Sequence, residues 1–209
     1  LPQKTISPKF FYDERGSKIF DKICDTPEYY LTRTEIALLN DIKEELNSLV
    51  EPGSVVLEYG CGSSIKIKAL LSALPEPSHY IAIDISKSHL ISTAKEIASN
   101  YNNISVAAIC ADFMEPIEWP EKVHFQSLKR LAFFPGSTIG NLSPSEASQF
   151  LKYVRNLVGD EGTFIIGVDM KKDADIFNQA YNDAEGHTAA FNLNLLHRMK
   201  NELDADINI

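Results

Sequence analysis

Val55-Val56-Leu57-Glu58-Tyr59-Gly60-Cys61-Gly62-Ser63-Ser64 decides how the chain is read. A short apolar run of high strand propensity ends in an acid, two glycines follow one position apart, and a helical pattern opens at Ile65. Strand, glycine turn and helix are expected in that order. Without a Cβ at Gly60 and Gly62 the backbone can turn sharply and let a ligand come close, and the next helix aims its free N–H groups at whatever binds. A dinucleotide fingerprint requires a third glycine at position 65, where Ile65 stands, which argues against NAD and nucleotide-dependent oxidoreduction.

Working outward toward the C-terminus, the alternation repeats. Lys66 falls on the first turn of a helix expected from Ile65 to Leu74, where the helix dipole disfavours a cation unless an anion faces it. It is therefore either a solvated lysine or a contact to a ligand's carboxylate. Tyr80 to Ile85 reads as a second buried strand, and Asp84 lies about two dozen positions beyond Gly60, near the spacing at which a carboxylate takes ribose hydroxyls in open α/β sheets. Ile104 to Ile109 is a third strand. Asp112 and Phe113 follow it, an acid able to accept from an adenine amino group beside a ring able to pack on the base, or else an ordinary loop acid and a core aromatic.

Leu128 to Phe134 is a fourth strand that runs into Pro135-Gly136-Ser137-Thr138-Ile139-Gly140-Asn141-Leu142-Ser143-Pro144, flexible polar backbone at the strand end where such sheets bind ligands. Ser143, Pro144 and Glu146 form a capping signature for a helix to about Val158, and Thr163 to Val168 is a fifth strand. Helical patterns around Ile176 to Tyr181 and Phe191 to Met199 follow. Strands alternating with helices require right-handed crossovers, hence a parallel sheet covered on both faces.

On the N-terminal side, Leu1 to Lys9 reads as an extended arm. Ser17 is expected to cap a short helix bearing Ile19, Phe20 and Ile23, and Thr34 to cap a helix through Leu46. Tyr12, Tyr29 and Tyr30 lie in polar, turn-rich segments, which suggests a helical lid over a pocket; packing against the main domain is the alternative. The expected division is an N-terminal helical arm, 1–50, contributing to a substrate site, and a core, 51–209.

The totals set limits. A length of 209 residues with 44% hydrophobic content suits a globular domain with a small appendage. A net charge of -9 argues against a nucleic-acid partner. No span has the apolar length of a membrane helix and the start lacks a signal-peptide pattern, so a cytoplasmic protein without a membrane partner is expected; a monomer is the separate expectation for its assembly. Cys24, Cys61 and Cys110 form no zinc spacing, and His79, His89, His124, His187 and His197 form no metal constellation, so no metal is expected.

Acidic-x-Gly-x-Gly followed by small residues is also the first motif of S-adenosyl-L-methionine (SAM) methyltransferases. With it stand Pro8-Lys9-x-Phe11-Tyr12-Asp13, Pro27-Glu28-Tyr29-Tyr30-x-Thr32-Arg33-Thr34-Glu35, Gly136-Ser137-Thr138-Ile139-Gly140-Asn141-Leu142, Ala180-Tyr181-x-Asp183 and Thr188-Ala189-Ala190-Phe191-Asn192. In these blocks, from roughly Pro8 to Ile209, the chain resembles the histidine-specific SAM-dependent methyltransferases of ergothioneine biosynthesis, which convert histidine to hercynine. The resemblance implies a Rossmann-like methyltransferase core with an N-terminal helical region. It implies SAM held by Gly60, Lys66, Asp84, Asp112 and Phe113, the amino acid held by Tyr29, Asn141 and Tyr181, and Tyr12 close to the reacting amine as the catalytic group.

Cys61 and Ser63 replace a more usual serine and threonine, Pro135 a leucine, and His187 a valine. The resemblance places the family's imidazole-reading glutamate and serine in a C-terminal region beyond Ile209, so the core is expected to be incomplete at that end. Two further readings stand beside it, the same chemistry on another amino acid or amine, and a SAM-binding module without catalysis.

Overall fold

The computed structural model of the protein describes residues 4–117, 119 and 128–209. His124 and the first three residues of the expected arm lie outside the described residues. Two compact units emerge, one formed by Leu1–Leu31 with Met170–Ile209, the other by Thr32–Asp169. These units do not follow the linear division at residue 50.

The Thr32–Asp169 unit contains a five-stranded sheet. Its strands are β1 (Val55–Tyr59), β2 (His79–Asp84), β3 (Ser105–Cys110), β4 (Arg130–Phe134) and β5 (Thr163–Ile166), in the order β3-β2-β1-β4-β5. All four pairings are parallel, with Leu57 opposite Ile81 on one side and Ala132 on the other. β1 thus lies in the middle, and every one of its residues is buried. Because side chains alternate across a strand, Val55, Leu57 and Tyr59 enter one apolar layer with Phe134, Phe150 and Val154, while Val56 enters the other with Tyr80, Phe133, Ile67 and Leu70.

The same alternation carries Glu58 to the Val56 side, fully buried. Tyr80 donates its hydroxyl hydrogen to Glu58 Oε2, whereas Oε1 has no protein partner among the described residues. Burial pushes the Glu58 carboxyl well above the usual carboxylate range, against the opposing effects of the Tyr80 hydroxyl and the Lys66 charge.

The connecting helices are α4 (Ile65–Ala73), α5 (Lys87–Asn100) and α6 (Pro144–Val158). They follow α1 (Glu14–Asp25), α2 (Tyr30–Asp41) and α3 (Lys43–Leu49), and precede α7 (Ala174–Ala180) and α8 (His187–Leu203). The capping signature at Ser143 is present in full: Ser143 Oγ accepts from the Glu146 amide and Glu146 accepts from the Ser143 amide at 2.8 Å.

Two expected caps are corrected. Asp13, not Ser17, caps α1, its Oδ1 accepting the Gly16 amide at 2.7 Å; a carboxylate is at least as good an N-cap as a hydroxyl, and Ser17 is buried inside the first turn. Thr34 lies inside α2, which already begins at Tyr30, and a turn at Ile42 separates it from α3.

The other unit is held by rings and by amides gripping acids. Ile23, Tyr29, Leu31 and Ala180 form its buried centre, with Phe20 and Phe191 packed on it. Asp183 accepts the His187 and Thr188 amides, both at 2.7 Å, where α8 begins. Burial alone raises the Asp183 carboxyl, but the Thr188 hydroxyl and these backbone donors together outweigh it and hold it down at about 2. No described helix is long and apolar enough to cross a membrane.

Candidate donor and acceptor residues

In an open parallel sheet, ligands bind beyond the carboxyl ends of the strands, where the chain leaves neighbouring strands in opposite directions. Here that position is the end of β1, which pairs with β2 on one side and β4 on the other. Gly60 and Gly62 follow it with φ of +72° and +43°, and a Cβ built at either meets nothing within 4 Å. Their left-handed backbone explains why glycine is needed, and the open space beside both leaves the main chain accessible to a ligand.

Asp84, at the end of β2, is only 9% exposed. Its Oδ2 accepts the Gly62 amide at 3.2 Å and its Oδ1 the Ser86 amide at 2.7 Å. The expected ribose ligand is thus also the clasp of the glycine turn. Each carboxylate oxygen has a second lone pair, so the two tasks are compatible. Thr93 on α5 adds a hydroxyl bond to the Gly62 carbonyl at 2.7 Å, and Ser64 donates to Glu96 at 2.6 Å. The turn is fixed from outside before any ligand arrives.

Lys66 is not a solvated lysine. Its Nζ lies 2.7 Å from Glu35 Oε2, with the side chains only 17% and 14% exposed. Asp112 accepts the Met114 amide at 3.0 Å through Oδ1 in a local turn after β3. Phe113 packs edge-on against Phe134, Phe150 and Tyr59, at 5.4, 5.5 and 6.3 Å between ring centroids, and keeps part of its surface exposed. Gly60, Lys66, Asp84, Asp112 and Phe113 all belong to the Thr32–Asp169 unit, at or just beyond the ends of β1, β2 and β3.

These residues fit the group expected of them: open glycine backbone for close approach, an acid with spare lone pairs, and a half-exposed ring beside a second acid. Among the described residues no group of three or more His, Cys, Asp or Glu is arranged to hold a metal ion.

The loop after β4 also belongs to this unit. Gly136 and Ser137 are both left-handed, φ +77° and +58°, and Ser137 Oγ accepts the Asp169 amide at 3.0 Å. For a serine that backbone carries strain, of the kind found at ligand sites. A 3-10 turn, Thr138–Asn141, follows. Asn141 is exposed, and Ser143 already performs the capping of α6, so the structural task open to a helix-preceding amide is taken.

Three expected residues fall in the other unit. Tyr12, at the end of a 3-10 turn Pro8–Phe11, meets Phe20 and Phe191 edge-on at 5.5 and 5.4 Å. Tyr29 is 5% exposed and meets Tyr181 edge-on at 5.9 Å; Tyr181, 46% exposed, also leans on Phe177 at 5.0 Å. The structure therefore brings Tyr29 and Tyr181 together. His187, a departure from the family pattern, pairs with Glu185 at 3.1 Å, and Pro135, another, is buried with its carbonyl accepting from Thr138 at 2.8 Å.

Sequence reasoning missed Glu35 and the buried state of Glu58. A first-turn cation in search of an anion was the available signal for Glu35. For Glu58 it was an acid inside a strand apolar on both faces.

Known proteins resemble this chain along most of its length. The chain is 37% identical to the histidine N-alpha-methyltransferase of Mycobacterium tuberculosis over 99% of its own length and 64% of that protein's. It is 33% identical to ergothioneine biosynthesis protein 1 of Neurospora crassa, over 92% of this chain and 22% of that one. A solved structure from Methanococcus maripaludis, described as a candidate S-adenosyl-L-methionine-dependent methyltransferase, shares the fold with a TM-score of 0.52 at 19% identity, covering 97% of this chain and 87% of that one. The chain thus spans 64% of the length of the mycobacterial relative. Residues 1–209 match the family described as histidine-specific methyltransferase, SAM-dependent, and the chain belongs to that family.

Proposed function

We propose that this chain is the donor-binding core and substrate-contacting part of an enzyme that methylates the α-amine of L-histidine to hercynine with SAM as donor. The observation that carries the reading is the glycine turn: two left-handed glycines with open space at both Cβ positions, clasped by the buried carboxylate of Asp84. The match to the family along the whole chain supports histidine as acceptor.

SAM, when bound, supplies a methyl group already activated on a sulfonium, so the chain's residues have to hold, align and desolvate. In this reading the backbone at Gly60 and the Asp84 carboxylate take the adenosine ribose, Asp112 and Phe113 the adenine, and Lys66 the carboxylate of the methionyl part. Each methyl transfer removes an N–H donor from the acceptor nitrogen, until a quaternary nitrogen has none. The lasting grip has to fall on the acceptor's carboxylate, to which Asn141 offers amide donors and Tyr181 a phenol, with Tyr29 beside Tyr181. An ammonium must lose a proton before it can attack, and the Tyr12 oxygen accepts from the amine or relays that proton to water. The same reading makes the protein a cytoplasmic monomer with a small amino acid as its substrate, and with neither nucleic acid nor membrane as partner.

Calorimetry with SAM, and then with NAD, tests the donor assignment: binding of SAM alone is expected. Incubation with SAM and single amino acids, read by mass, tests the acceptor, with histidine gaining methyl groups. Methylation of a different amino acid would replace the acceptor, and SAM binding without any transfer would reduce the chain to a binding module.

A further inference from the structure

Glu35 has no part in the roles assigned above, yet it joins a helix-borne ammonium and a loop amide within the Thr32–Asp169 unit. It lies on α2, one of its oxygens 2.7 Å from Lys66 Nζ, and both oxygens accept the Gly136 amide, at 3.0 and 2.9 Å. A Cβ added to Gly167, just past β5, would collide with Glu35 Oε1, and one added to Gly136 would stand 3.0 Å from Lys66 Nζ. Three segments distant in sequence from α2 therefore close on one carboxylate, and a larger residue at Gly167 would displace it.

The chemistry explains why an acid is placed there. Lys66 occupies the positive end of α4, so an unpaired ammonium would be repelled by the helix and would swing away. Glu35 cancels that repulsion and takes one of the three ammonium protons, fixing the direction of the other two. We propose that Glu35 is the positioning residue of the donor pocket: through Lys66 it aims an ammonium at the carboxylate of an amino-acid-bearing nucleoside. The proposal rests on the donor reading given above. It adds that selection of the amino-acid tail is set by a residue that does not itself touch the ligand.

Two probes separate this from a structural role. S-adenosyl-L-homocysteine carries the amino-acid tail, and 5′-methylthioadenosine lacks it. Glu35→Gln retains an oxygen for the Gly136 amide but removes the charge. The variant is expected to bind S-adenosyl-L-homocysteine about tenfold more weakly by calorimetry and 5′-methylthioadenosine within about twofold of the parent. Adding Lys66→Met should then cause little further loss, since both changes act on one contact.

Equal losses on both ligands, or a double variant about a hundredfold weaker, would overturn the proposal. If Glu35→Gln does not fold by circular dichroism, the apolar pair Glu35→Leu/Lys66→Met decides it. Loss confined to S-adenosyl-L-homocysteine supports the proposal, and unchanged binding of both ligands overturns it. A parent chain that binds neither ligand would sink the donor reading itself, an outcome distinct from a Glu35 variant that binds like its parent.

Discussion

Asp183 and Glu58 are both buried acids, one in each compact unit, and their surroundings treat them in opposite ways. Asp183 faces backbone amides and is held ionised to unusually low pH; Glu58 faces one phenol in an apolar layer and is kept neutral well into the range where a carboxyl normally ionises. Burial raises both, so the outcome turns on what offsets it: one phenol at Glu58 does not, and the donors around Asp183 do. Asp84, on the strand next to that of Glu58, also accepts two backbone amides.

Removing an amide-gripped acid from the proposed donor site should therefore have the largest effect. Asp84→Ala leaves the Gly62 and Ser86 amides without their acceptor and is expected to cost about 2–4 kcal/mol in urea unfolding, with SAM binding weakened at least about 100-fold. Intact SAM affinity in that variant would remove Asp84 from the donor site. Asp183→Asn turns an amide group toward the donors that Asp183 now satisfies, and is expected to cost about 2 kcal/mol near neutral pH.

The pH dependence follows from the depressed carboxyl of Asp183. Its contribution is complete above the unfolded-state value and is lost as pH falls toward about 2, so parent and variant should converge under acid.

Asn141 sharpens the contrast as a polar group that the fold leaves exposed. Asn141→Ala should raise the acceptor KM about tenfold with SAM affinity and melting temperature unchanged, because the cap of α6 remains. Equal losses for donor and acceptor would make Asn141 a shaper of its loop.

Glu58→Gln should change least, within about 1 kcal/mol, since it replaces one neutral group by another of the same shape. Its sign with pH is opposite to that of Asp183. The raised folded-state carboxyl of Glu58 keeps its proton while the unfolded one loses it, so the parent loses stability as pH rises above the ordinary carboxylate range. The variant's relative stability should accordingly increase as pH rises above the ordinary carboxylate range.

What the sequence revealed divides along the same line. The β1 run, the two glycines and the Ser143 capping box were legible because each is a local pattern within a few residues, and all five strands lie where apolar runs meet turn residues. The spacing from Gly60 to Asp84 was legible too, because a crossover of fixed build gives it a typical length. Contacts between distant segments were not. Glu35 meets Gly136 across 101 positions, and no periodicity connects them. The start of α2 at Tyr30 and the cap at Asp13 were missed because several hydroxyl and acid residues nearby were equally eligible, and packing chose among them. The edge-to-face contact of Tyr29 with Tyr181 was not legible either, since such rings leave no spacing signature; family likeness alone assigns both to the substrate.

The clasp at Asp84 also constrains how this protein can change. One carboxylate both shapes the glycine turn and faces the place where a sugar is expected, so a substitution that retunes sugar recognition also redraws the loop that recognises it. Innovation in the donor is thereby penalised at once in foldability. On the proposed reading, drift has freer play at Asn141, where exposed amide chemistry can be exchanged without disturbing the scaffold, and new acceptors are easier to acquire than new donors.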